Sequence, residues 1–341
     1  MAGSNINMKK PHLTNPRTIA AWVAAVITLL STSAAHAQIF VAEYGYIGEY
    51  STSGATINAD LITGVNDSQI AISGSDLFVA GGGTVAEYSL SGSTATLVNP
   101  DLITVSGGGN PGDGIAVSGS DLYVLNQNGT IGEYTLGANP GTIASSNPTL
   151  IKSGVTPGAG YSSFGLAISG SDLFVVNSDS GTGQDFISEF NTSGASVNPS
   201  LITGLTNDNY IAIAGSDLFE SNFNGVSPTV GEYTTSGGTV NANLISAGGN
   251  FDGGGLALSG SDLFLVNDAS STSGGYGTIA EYTLSGTMAT LVTSDLITGL
   301  NGPEDIVIAD IAAVPEPSTW AMMFVGLLAL VGWQRFQRRK V

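Results

Sequence analysis

The sequence predicts an all-β fold, a closed ring of six four-stranded blades with the architecture of a β-propeller. Three observations predict it. Two short apolar runs flanking a Gly-Ser-Asp turn recur five times, with turn glycines Gly74, Gly119, Gly170, Gly215 and Gly260 separated by 45, 51, 45 and 45 residues. Self-similarity at a near-constant period of this size marks a repeat architecture. A Glu-aromatic pair and a run ending in Leu-Ile each recur six times. The sixth copy of the hairpin is split between the two ends of the repeat region, which is what closure of a ring requires.

Taken in order, residues 1–37 read as a secretory signal peptide. A basic start (Lys9, Lys10, Arg17) precedes an apolar run at 19–30, and Ala35-His36-Ala37 supplies small residues for cleavage between Ala37 and Gln38. Residues 38–310 form the repeat domain, and each repeat divides into four strand-sized pieces. The first is an apolar run (Ile70, Ile115, Leu166, Ile211, Leu256). The second follows the turn, as in Leu173-Phe174-Val175-Val176-Asn177. The third carries the pairs Glu49-Tyr50, Glu87-Tyr88, Glu133-Tyr134, Glu189-Phe190, Glu232-Tyr233 and Glu281-Tyr282, and the fourth ends in Leu-Ile, as at Leu61-Ile62 and Leu296-Ile297. Apolar and aromatic runs of this length, bounded by Gly, Ser, Asn and Asp, read as strands.

The count closes the ring. Six third and six fourth pieces accompany only five complete hairpins. Ile306-Val307-Ile308-Ala309 matches a first strand and Ile39-Phe40-Val41-Ala42 a second, so pairing the ends completes the last blade, with the C-terminal strand innermost. Six repeats of about 45 residues fill the domain. With 48 glycines but 42% hydrophobic residues, the chain has enough apolar surface for a large core.

Charge is distributed unevenly. The segment 38–310 holds 26 of the 27 acidic residues and one base, Lys152, for a net charge of −25. Such a surface repels nucleic acid and anionic lipid and attracts cations. The segment contains neither histidine nor cysteine, so Ser–His–Asp and Cys–His catalysis, disulfides and the usual zinc sites are excluded there.

Carboxylates therefore carry any site chemistry. The turn aspartates Asp76, Asp121, Asp172, Asp217 and Asp262 read as turn formers that bond neighbouring amides. The six repeated glutamates read as structural, either solvent-facing or hydrogen-bonded between blades, because almost no cation exists to pair them. A local site belongs where the repeats differ, in the loops after second strands and before first strands. Asp113, Asp179, Asp185, Asp208, Asp252, Asp268 and Asp305 lie there, with Asn126, Asn177 and Asn267. Oxygen-rich loops of this kind suit calcium; solvated acidic loops without a fixed ion are the competing reading.

Residues 311–341 form a linker, the box Pro315-Glu316-Pro317, an apolar stretch at 320–333 bounded by Trp320 and Trp333, and the basic tail Arg335, Arg338, Arg339 and Lys340. The stretch gives roughly 21 Å of helix against a hydrocarbon core of about 30 Å, and end tryptophans with snorkelling arginines make up part of the difference. The basic tail places the terminus in the cytoplasm and the repeat domain outside. The prolines hold the box extended.

Together these parts resemble the PEP-CTERM sorting signal. The resemblance implies a single C-terminal transmembrane helix, recognition by an exosortase, cleavage at the box and delivery to the cell envelope or surface. The repeat domain is similar to bacterial six-bladed propellers of the NHL and lactonase-like kind. Three functional expectations follow. The first is a non-enzymatic envelope or extracellular-matrix scaffold contacting polysaccharide or surface proteins. The second is a calcium-dependent lactonase-like or sugar-acting enzyme, and the third a protein-binding scaffold within the envelope.

Overall fold

A computed structural model describes residues 36–65, 69–104, 111–126, 128–152, 165–179, 184–206, 208–222, 229–246, 253–267 and 276–311. Its strands form six four-stranded antiparallel sheets, as the repeat count requires. Blade 1 takes β1 (His36–Glu43), β2 (Gly45–Ser51) and β3 (Thr56–Val65). Blade 2 is β4 (Gln69–Ser73), β5 (Asp76–Gly81), β6 (Thr84–Ser91) and β7 (Thr94–Thr104). Blade 3 is β8 (Pro111–Ser118), β9 (Asp121–Asn126), β10 (Ile131–Leu136) and β11 (Ile143–Ile151). Blade 4 is β12 (Leu166–Ser169), β13 (Asp172–Asp179), β14 (Gln184–Asn191) and β15 (Ser196–Leu205). Blade 5 is β16 (Asp208–Ala214), β17 (Asp217–Asn222), β18 (Thr229–Thr234) and β19 (Thr239–Ser246). Blade 6 is β20 (Gly253–Ser259), β21 (Asp262–Asn267), β22 (Gly277–Ser285) and β23 (Met288–Leu300). The last strand, β24 (Pro303–Ile311), returns to blade 1 and pairs with β1 as its innermost strand.

That pairing matches Ile39 with Ile308, Phe40 with Val307 and Val41 with Ile306, the register that Leu77 and Ile72 adopt in blade 2. β1 begins at His36, two residues ahead of the expected cut before Gln38. A cut there removes only the pairs of His36 with Ile311 and Ala37 with Asp310.

The core lies between blades rather than within one. Six clusters of buried apolar residues each join two neighbouring blades; Leu102 and Ile103 of blade 2, for instance, pack on Ile115, Leu122 and Val124 of blade 3. Strand periodicity causes this, because successive side chains alternate between the two faces of a sheet and each face meets a different neighbour. Thus Leu218 faces blade 4 while Phe219 faces blade 6. The seam between blades 6 and 1, with Phe264 and Val266 against Ile39 and Val41, is the one that chain closure creates.

The two ends of the blades differ. At one, the turn face, first and second strands join through two-residue Gly-Ser turns whose glycines have φ of 60 to 63°. Glycine at the first central position with this φ fits a type II′ hairpin, whose twist suits paired strands. At the other, the loop face, second strands pass to third strands and each blade crosses to the next.

Candidate functional site

The six first strands ring a central channel, and one column of the repeat lies near the loop-face end of each: Gln69, Gly114, Gly165, Tyr210, Gly255 and Asp305. Three are glycine, and the three large polar residues fill the space the glycines leave. Gln69 Nε2 donates to the Tyr210 hydroxyl at 3.4 Å, a bond from blade 2 to blade 5. Asp305 accepts from the Ile70 amide through Oδ2 and from the Ile306 amide through Oδ1, both at 2.9 Å. Burial raises its pKa to about 7 against these two lowering bonds. Beyond this layer the channel holds a cavity of about 250 Å³ walled largely by aliphatics, among them Ile115, Leu166, Ile211 and Leu256. Gln69 and Tyr210 bond each other and Asp305 bonds the backbone, so three tied polar groups share the channel with its aliphatic wall.

A second column lies toward the loop-face end of the second strands: Glu43, Gly81, Asn126, Asn177, Asn222 and Asn267. Four of these side chains, Glu43, Asn126, Asn177 and Asn222, tie neighbouring segments together. Asn126 bonds Thr130, Asn177 bonds the Val175 carbonyl and Ser188, and Asn222 bonds Thr206. Buried Glu43 accepts from the Tyr50 hydroxyl at 3.1 Å and the Asn301 amide at 2.7 Å, locking β1 to the segment that enters β24. Its pKa is raised, chiefly by burial.

The repeated glutamates lie opposite the aromatic of the second strand, as Phe78 opposite Glu87 and Phe264 opposite Glu281. Most point into seams. Glu87 accepts from the Gly141 amide of blade 3 at 3.0 Å. Glu133 accepts from Tyr123 of its own blade. Glu49 is fully buried, yet neither carboxylate oxygen has a hydrogen-bond partner, and burial raises its pKa to about 7. The cause is local: Ser91 pairs directly with Thr94 in the outer turn of blade 2, leaving no extended loop like the one that carries Gly141. Burial also raises Glu87, Glu189, Glu232 and Glu281.

The turn glycines supply the positive φ and the aspartates begin the second strands, two of them bonded to the turn serine and one to the third strand. Asp172, Asp217 and Asp262 accept from the hydroxyls of Ser171, Ser216 and Thr283. Blade 1 has Gln38 in this column, opposite Ala309.

Of the seven aspartates proposed for calcium, Asp305 and buried Asp185 have described side chains. Asp113, Asp179 and Asp208 lie on the ends of β8, β13 and β16, while Asp252 and Asp268 fall outside the described residues. No three acidic groups converge among the described residues. Gln38 pairs with Ser51 and Ala37 with Asp310, whereas Pro315, Glu316, Pro317, Trp320, Trp333, Arg335, Arg338, Arg339 and Lys340 lie outside the described residues.

Sequence reasoning missed Glu220, which is buried in a column otherwise Val41, Val79, Val124, Val175 and Leu265. Its neighbour Ser221 donates to the Gly254 carbonyl of blade 6 at 3.1 Å. Comparing the second strands position by position would have exposed both, since Phe219-Glu220-Ser221 replaces an apolar run.

Residues 313–339 match the PEP-CTERM protein-sorting motif. No curated protein matches the chain in sequence. Among solved structures, a chain of a nidogen–laminin complex superposes with a TM-score of 0.58 at 12% identity, covering 82% of this chain and 100% of that one. A protein from Lactobacillus plantarum superposes with a TM-score of 0.51 at 16% identity, covering 80% of this chain and 99% of the other. At such identities the likeness concerns the fold alone. The chain is therefore an exported six-bladed β-propeller with a C-terminal PEP-CTERM motif, anchored at the cell envelope before processing by an exosortase.

Proposed function

We propose that the protein is a non-enzymatic scaffold of the cell envelope or extracellular matrix, whose propeller contacts polysaccharide or surface proteins. The observation that carries this reading is adjacency: the sorting motif starts at residue 313, two residues after the ring-closing strand ends at Ile311. The ring is the cargo the motif delivers. The channel's polar side chains are tied to one another or to the backbone, which supports a structural role over a catalytic one. The outer strands, rich in Ser, Thr and Asn, offer neutral hydrogen-bonding groups between the acidic positions, a chemistry that suits hydroxyl-rich polymers.

Fractionation of cells expressing the full chain or a form ending at Ile311 tests the reading. The full chain is expected in the envelope, with a mature C-terminus in the Pro315–Glu316–Pro317 region by mass spectrometry, and the shortened form in the soluble exported fraction. The purified ring is then expected to be retained by extracted envelope polysaccharide, or by a surface fraction whose protease treatment abolishes retention. A soluble full chain with Val341 intact, or a ring retained by neither fraction, overturns the proposal.

A further inference from the structure

We propose that removal of residues 1–37 places a positive charge in the seam that closes the ring, where the new α-ammonium of Gln38 is the counter-ion of Asp262 and Glu281. This rests on the cut expected before Gln38 from the sequence of 1–37. A signal peptidase adds water across the Ala37–Gln38 peptide bond, leaving a carboxylate on Ala37 and an ammonium on Gln38. The fold fixes the surroundings of that ammonium. Ala37 belongs to β1 and pairs with Asp310 of β24. It shares the strand face of Ile39 and Val41, which pack on Phe264 and Val266 of blade 6. At the turn-face end of this seam lies a cavity of about 490 Å³, lined among others by Ala37, Ser53, Ser259, Asp262, Phe264 and Glu281.

The cavity wall carries two acids and no base. Asp262 in β21 and Glu281 in β22 lie on one face of adjacent strands, since Asp262 pairs with Thr283 and Phe264 with Glu281. Burial raises the pKa of Glu281, and the charge of Asp262 raises it further. Asp262 accepts from the Thr283 hydroxyl at 3.2 Å, a neutral partner. The one base of 38–310, Lys152, follows β11 in blade 3, half a ring away. Blade 1 alone can present a chain end at this place. Ile39 with Ile308 takes the register of Leu77 with Ile72, so Ala37 and Asp310 stand where the other blades carry a continuous Gly-Ser turn. Besides Asp310, opposite Ala37, the nearby acid of blade 1 is Glu49, which pairs with Phe40 and lies on the face toward blade 2. The Gln38 side chain takes that second face too, with its Oε1 buried. This placement holds the side-chain amide away from cyclising onto the α-nitrogen.

The test uses the full chain, exported by expressing cells and purified in detergent, with its N-terminus read by mass spectrometry. The α-amine is titrated through the pH dependence of its acetylation, followed on the N-terminal peptide, in the folded chain and in guanidinium. The folded amine is expected to hold its proton at least about tenfold more tightly than the unfolded one, as an ammonium beside carboxylates does. Glu281→Gln and Asp262→Asn, made singly, are each expected to lower that ratio. An equal affinity, a weaker one in the folded chain, or a ratio that neither variant lowers overturns the pairing and leaves the cut in place. So does a terminus cyclised with loss of ammonia. An N-terminus at any residue other than Gln38 overturns the cut and the pairing together. The unaltered chain alone decides the first comparison, so the test stands even where a variant does not fold.

Discussion

At the scale of single residues, the ring is held by contacts that only particular side chains permit. Gly194 and Gly237, in the outer turns of blades 4 and 5, have φ of +84° and +87°. A Cβ on either would lie 2.6 or 2.7 Å from a backbone carbonyl oxygen of the preceding blade, Leu150 or Leu201. Gly64 has a similar φ of +81° with open space around it. Gly64→Ala thus carries the left-handed penalty alone, about 1–2 kcal/mol, whereas Gly237→Ala adds a seam clash of about 1–3 kcal/mol more. Urea unfolding of both variants measures the difference, and equal losses would show that the outer turns do not hold the seam. Little of this was legible in the sequence, where nothing beside these three glycines tells which one abuts a neighbouring blade. Repetition shows which residues share a column, but not which neighbour a column meets. Glu49 and Glu87 likewise look identical in sequence, and the turn of the next blade decides that one is bonded and the other is not.

At the scale of elements, the outer strands are stitched by a recurring device that the repeat encodes plainly. Asn58, Asn99, Asn198 and Asn241 each bend the fourth strand by accepting the amide two residues on. Asn58, Asn99 and Asn241 also donate to the outer turn of the next blade, at Ser93, Gly141 and Thr287. The ladder shifts register beside these residues, as at Glu49 in β2. Closure by β1 and β24 was legible because the count of strand pieces left one hairpin short. The filling of the channel was not, because Gln69, Tyr210 and Asp305 lie 95 or more residues apart and meet only when the ring closes. Closure is therefore the element on which the others depend. Loss of 306–311 removes the partner of β1 and opens the seam of Ile39, Val41 and Phe264. A ring ending at Asp305 is expected to lose cooperative unfolding and show broad amide exchange across blades 1 and 6. The same melting transition as the ring ending at Ile311 would mean that blades 2 to 6 are stable without closure.

At the scale of the whole molecule, the dominant feature is acid without counter-charge. Burial pushes Glu49 and Asp305 up to about 7 and raises Glu43, Asp76, Glu87, Glu189, Glu232 and Glu281 above the usual carboxylate range. These groups hold a proton more tightly in the folded ring than in the unfolded chain. Between about pH 4 and 7 the folded state therefore binds more protons, and stability falls as pH rises across that window. It is greatest near or below the unfolded carboxylate values and levels off above pH 7. Self-repulsion among the 26 acids in 38–310 acts in the same direction. For buried Glu49 the effect between the two limits is at most about 3 kcal/mol, since a tenfold change in proton affinity corresponds to about 1.4 kcal/mol. The ring is thus expected to melt several degrees higher at pH 5 than at pH 8 at constant ionic strength, the opposite of a protein held by ion pairs. Glu49→Gln removes the buried charge while keeping the shape, so it is expected to raise the melting temperature at pH 8, leave it nearly unchanged at pH 5, and flatten the slope. A melting temperature that climbs from pH 5 to pH 8 would show that these carboxyls gain partners on ionisation and are not protonated by burial.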